Sequence, residues 1–137
     1  MINFQTLTDR LLESENLTAD LEDPEADWLL QWGIAQIPLV VEGYTDEEAA
    51  GEKVSTLMAF MRRAGRSVAR KDRRTPAELA AALDELAHLY GQAFTPLPSL
   101  TPETLAQAAA QMQAASPREA LRFLVEWLAS CRSTGAN

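Results

Sequence analysis

The chain has 137 residues, enough for one hydrophobic core and too few for two comfortable ones. Its 47% hydrophobic and 23% charged fractions are those of a globular protein and exclude wholesale disorder. A single cysteine, Cys131, excludes an internal disulfide and a multi-cysteine metal site, a single histidine, His88, leaves little for imidazole chemistry, and a net charge of −8 disfavours general nucleic-acid binding.

Helix starts are the clearest local signal. Phe4, Leu7 and Leu11 give an apolar stripe that predicts a first helix over about 3–15. Asp23-Pro24 then opens a helix over about 24–36, because proline suits the first turn and a preceding Asp, Ser or Thr caps the open donors. The stretch Ile37 to Gly43 contains Pro38 and a Val-Val pair; with no second strand to pair with, it reads as a loop or helical turn. Thr45-Asp46-Glu47-Glu48 caps a helix over about 46–64, whose face is Ala50, Val54, Leu57, Met58 and Met61. Thr75-Pro76 with Glu78 opens a helix over about 76–92 bearing Leu79, Leu83, Leu86 and Tyr90. Phe94 to Leu100 reads as a stiff linker, Thr101-Pro102 opens a helix over about 102–114, and Ser116-Pro117 with Glu119 opens one over about 117–131. The expectation is all-α: one compact bundle of five to six short antiparallel helices spanning 1–137, with a frayed tail over 133–137.

The strongest apolar stretch, Trp28 to Val41, is interrupted by Gly33 and Pro38 and is too short to span a bilayer. The start carries no apolar signal core, so the expected compartment is the cytoplasm.

Charge is segregated along the chain. Residues 1–52 hold 13 acids and one base, residues 53–74 eight bases and one acid, and residues 75–137 six acids and three bases. The cations concentrate in Arg62, Arg63, Arg66, Arg70, Lys71, Arg73 and Arg74. Gly65 is expected to end the preceding helix as a C-cap, leaving the later cations in a connector. Were the helix to continue, Arg62, Arg66, Arg70 and Arg73 would lie within about 80° of one another along roughly 16 Å.

Arginine presents a planar fork to carboxylates and phosphates. The run is therefore read as a contact site for an acidic protein partner, against the plainer reading of a solvated connector paired with the protein's own acids. An RNA- or ribosome-associated role through phosphate contacts is the alternative. Against nucleic acid, no aromatic residue lies between Arg62 and Arg74 to stack a base, and the acidic first third would repel a phosphate backbone.

Other chemistry is weaker. The acidic arm Glu13 to Asp27 holds seven carboxylates but lacks the ligand order and glycine of a calcium loop. Glu85-Leu-Ala-His88 has the Glu-x-x-His spacing of di-iron bundles, and Glu48 with Glu52 could add carboxylates, but a second histidine is missing. His88 is expected at the edge of the core and Cys131 as a half-buried structural thiol. No phosphate loop, nucleophile elbow or dinucleotide fingerprint occurs. No cofactor and no metal are expected, and an enzyme using a metal or small molecule is the minority reading. Trp28 and Trp32, four residues apart, and Met58 and Met61 are core by default; the sharper reading is an apolar interface, including one between two copies of the chain.

The strings Asp46-Glu-Glu-Ala-Ala-Gly-Glu-Lys-Val54 and Leu57-Met-Ala-Phe-Met-Arg62 resemble those of small all-helical proteins of cyanobacterial type with no assigned function. They cover under a fifth of the chain and contain no chemical motif, so nothing about fold or function is carried over from the resemblance.

Overall fold

The structure, a computed structural model, describes residues 2–14 and 16–135, the last four by backbone alone. Six α-helices follow in order: α1 Phe4–Glu13, α2 Asp23–Val40, α3 Glu47–Ala69, α4 Pro76–Ala93, α5 Pro102–Ala114 and α6 Pro117–Gly135, with one 3₁₀ turn, Lys71–Arg73, between α3 and α4. No strand occurs among the described residues. The tail expected to fray over 133–137 lies outside them in its last two positions and in all its side chains.

Side-chain caps set most of the starts. Asn3 accepts from the N–H groups of Gln5 and Thr6, and Asp46 from those of Glu48 and Ala49. Thr75 forms the full reciprocal box with Glu78, and Thr101 accepts from Thr104 N–H. Each such cap contributes about 1 kcal/mol. Before α2 the cap is Glu22, without a side-chain bond, and Asp23 is already inside the helix, where its charge meets the positive end of the dipole.

Helix α3 is the spine. It packs against α1, α2, α4 and α6, while α5 bridges α4 and α6. Val54, Leu57, Phe60 and Met61 of α3, Leu79, Leu83 and Leu86 of α4, and Leu121, Leu124 and Leu128 of α6 are all buried, each stabilising the fold by about 1.5–3 kcal/mol before entropy is subtracted. A run of rings adds shape. Trp32 lies 5.7 Å from Phe60, Phe60 5.7 Å from Tyr90, and Tyr90 stacks on Phe94 at 4.5 Å, tying α2 to α3 and α4.

Two boundaries differ from the sequence reading, and both bear on the site. Helix α2 runs through Pro38 to Val40 before turning at 41–43, so no loop begins at Ile37. Pro38 stands in the last turn, where its missing N–H forfeits a single bond, and its ring is exposed. Helix α3 does not stop at Gly65. That residue is buried in mid-helix, and a Cβ there would stand 3.3 Å from Leu21 Cδ1. Gly65 is therefore a close-approach residue that lets Leu21, just before α2, lie against α3, and it is not a C-cap. No helix among the described residues is long and apolar enough to cross a membrane.

Candidate functional site

Because α3 continues past Gly65, its phase sorts the basic run. Arg62, Arg63 and Arg66 lie on the helix; Arg70 is its C-cap, with its N–H donating to the Arg66 carbonyl at 3.0 Å. Lys71 and Arg73 sit in the 3₁₀ turn, and Arg74 is extended just before the Thr75 cap of α4. The cations end at the negative pole of the α3 dipole, which favours them there.

Lys71 departs from the expectation of a surface contact. It is only 4% exposed. Its Nζ donates to the Gln113 carbonyl and to Asp72 Oδ1, both at 3.1 Å, while Gln113 Nε2 donates to the Arg74 carbonyl at 2.8 Å and the Lys71 carbonyl at 3.3 Å. This exchange between the turn and α5 satisfies backbone carbonyls that a connector would leave to water. Lys71 is thus an internal anchor, unavailable to a partner. Gln113 left no mark in the sequence, since one glutamine among the alanines and glutamines of α5 resembles any other.

The arginines have the opposite environment. Arg63, Arg66, Arg70 and Arg74 line one groove of about 270 Å³ between α3 and α4, together with Ser67 and two α4 carboxylates, Glu78 and Glu85. Arg62, with Arg63 and Arg66, lines an adjoining hollow of about 430 Å³ that also meets His88 and Gln92. Arg73 is exposed and lines neither.

Pairing across the groove is incomplete. Arg63 forms an ion pair with Glu85, both side chains being about half exposed. Arg66 Nε stands 3.7 Å from Asp20 Oδ2, close enough for attraction and too far for a hydrogen bond, and that nitrogen is shielded from solvent with no hydrogen-bond partner among the described residues. The Thr75 backbone N–H, the Thr75 hydroxyl and the Arg74 guanidinium together hold the Glu78 carboxyl below the usual glutamate range. Arg62, Arg70, Arg73 and Arg74 form no ion pair within 4.0 Å among the described residues.

The remaining candidates fall elsewhere. Glu85 faces Arg63 and His88 is exposed on α4, not at the core's edge; no group of three or more His, Cys, Asp or Glu side chains capable of holding a metal forms among the described residues. Cys131 is partly buried, and desolvation pushes its thiol up, away from the reactive thiolate. Met61 is enclosed in the core, with its thioether against Gly33, so it belongs to no surface patch. Trp32 joins the ring series, and Trp28 and Met58 are partly buried against the core; the apolar interface expected from these residues is not an exposed face. A wider cleft, about 730 Å³, lies between α4 and residues 94–100, where Lys53 Nζ donates to the Gln92 carbonyl at 2.6 Å and so caps the C-terminal end of α4. Comparison with family models, with curated proteins and with solved structures gives no match, so function rests on the chemistry of the site itself.

Proposed function

We propose that this chain is a non-catalytic helical interaction module that works in the cytoplasm and docks an acidic segment of a protein partner in the arginine-lined groove between α3 and α4. The observation that carries the reading is the convergence of four arginines on one groove with Arg70 and Arg74 free of ion pairs among the described residues. Arginines fixed on a packed helix and its cap offer several N–H forks at low entropic cost, and carboxylate recognition by such forks supplies specificity and association rate. Glu78 and Glu85 in the lining, and the absence of any aromatic side chain there, favour a short acidic segment over the continuous polyanion of RNA.

Affinity capture from native-cell extract, with and without nuclease, tests this. The wild-type chain should retain its partners after nuclease, and the Arg70→Glu, Arg74→Glu double variant should lose them. Partners that vanish with nuclease would move the assignment to RNA. Equal capture by the double variant would remove the groove from the function.

A further inference from the structure

We infer that the group received in the groove is a phosphate monoester on a peptide segment of the partner; this rests on the anion-docking reading above and names its chemistry. Three observations point the same way. First, every cation lining the groove is an arginine, while the one lysine of the run is turned inward to Gln113. A carboxylate is satisfied by one guanidinium fork, whereas a phosphoryl group has three oxygens that accept forks from more than one arginine at once. Second, Arg70 and Arg74 form no ion pair within 4.0 Å among the described residues, whereas Arg63 and Arg66 have Glu85 and Asp20 beside them, and the two unpaired guanidinium groups can together engage the charge of about −2 on a phosphate monoester near neutral pH. A phosphodiester or a lone carboxylate brings a single charge to the same two groups. Third, the lining contains no aromatic side chain to stack a base, which favours a phosphate carried on a peptide over one carried on a nucleotide. The volume of about 270 Å³ suits a phosphorylated side chain and falls below the usual range for larger ligands, from about 300 Å³ upward.

In this arrangement the Arg63–Glu85 pair and the approach of Asp20 to Arg66 hold two guanidinium groups in place, and Arg70 and Arg74 close on the incoming phosphate from the C-terminal end of α3. The same carboxylates set a threshold. A weakly charged segment gains too little to displace water from arginines that already have acidic neighbours, and a dianion gains more.

The test uses fluorescence anisotropy with three peptides identical except for one central residue, which is phosphoserine, glutamate or serine. The wild-type chain should bind the phosphoserine peptide about tenfold or more tightly than the glutamate peptide, because its charge-assisted bonds are more numerous. Inorganic phosphate should displace it. Affinity should rise with pH through about 6, where the second phosphate ionisation completes the dianion. Arg70→Gln and Arg74→Gln should each weaken binding, while Arg73→Gln, outside the groove, should leave it unchanged. Equal affinity for the phosphoserine and glutamate peptides would overturn the phosphate assignment and leave the anion-docking reading standing. Tighter binding of a uridine oligonucleotide that competes at the same arginines would overturn it in favour of a phosphodiester. Absence of binding by all three peptides would overturn it also; partner capture that still depends on Arg70 and Arg74 would then show that the groove reads some other acidic surface.

Discussion

Arg70 and Lys71 are adjacent in the chain and carry the same charge, yet Arg70 is exposed at the groove between α3 and α4, whereas Lys71 is 4% exposed with its Nζ on the Gln113 carbonyl. The region around Lys71 is a closed hydrogen-bond knot in which the turn and α5 exchange donors and acceptors. The groove is an open set of cations, partly paired and partly waiting. The end of α3 makes the difference. The helix closes at Arg70, and the 3₁₀ turn that follows places the next cation against α5. A charge run is thus two devices, an anchor that holds the connection and a surface that it presents.

The largest expected effect is at the anchor. Lys71→Ala should destabilise the chain by about 2 kcal/mol, the cost of losing charge-assisted bonds at a buried site. For a chain of this size that lowers the thermal midpoint by roughly 5–10 °C. Gln113→Ala should cost about 1–3 kcal/mol, since it leaves two backbone carbonyls without their donor. The double variant should cost less than the sum, because both residues serve one network. Additive losses in a thermal or urea series would mean that the knot is not a unit.

A smaller effect belongs to the boundary between the two regions. Thr75→Ala removes the α4 cap beside Arg74 and should cost about 1 kcal/mol, with the chain still folded. The Glu78 carboxyl of the same box ionises at lower pH in the folded chain than in the unfolded one, through Thr75 first and Arg74 last. Its contribution to stability is therefore complete above the ordinary glutamate pKa of about 4.3 and is lost as pH falls through the folded-state value. Thermal midpoints of Glu78→Gln between pH 3 and 6 should show a shallower acid decline than the wild type. An unchanged slope would remove Glu78 from the groove's electrostatics.

The smallest effect on stability should come from the groove's own cations. Arg70→Glu with Arg74→Glu should change the unfolding free energy by about 0.5 kcal/mol per site or less, as exposed substitutions do, while abolishing partner capture. Unfolding of this variant would make the arginines internal counter-ions of the acidic first third.

Much of the fold is legible in the chain because its signals are local. Thr75 and Thr101 cap the helices where their neighbours predict, Asp46 caps α3 one residue later than the Thr45…Glu48 box predicts, and the stripes Leu79-Leu83-Leu86-Tyr90 and Leu121-Leu124-Val125-Leu128 are buried as their spacing requires. Gly65 misleads because a glycine that ends a helix and one that admits a neighbouring leucine look alike until Leu21 is placed beside it. Pro38 misleads because its cost depends on how close it lies to the helix end. The cationic character of the site is visible in the arginine count, but its division is not. That Lys71 turns inward depends on Gln113, 42 positions away in the chain, and the carboxylates facing the arginines come from Asp20, Glu78 and Glu85 on other segments. Such pairings exist only once the helices have packed.

The most direct measurement is a two-dimensional amide NMR titration of the full chain with an acidic peptide carrying phosphoserine. The predicted result is saturable shifts confined to residues 62–74 and to the first half of α4, with the Lys71 and Gln113 signals kept in their native positions at saturation. Shifts centred on the cleft at residues 94–100, or no saturable shift along α3, would contradict the assignment of the arginine groove as the site at which this protein meets its partner.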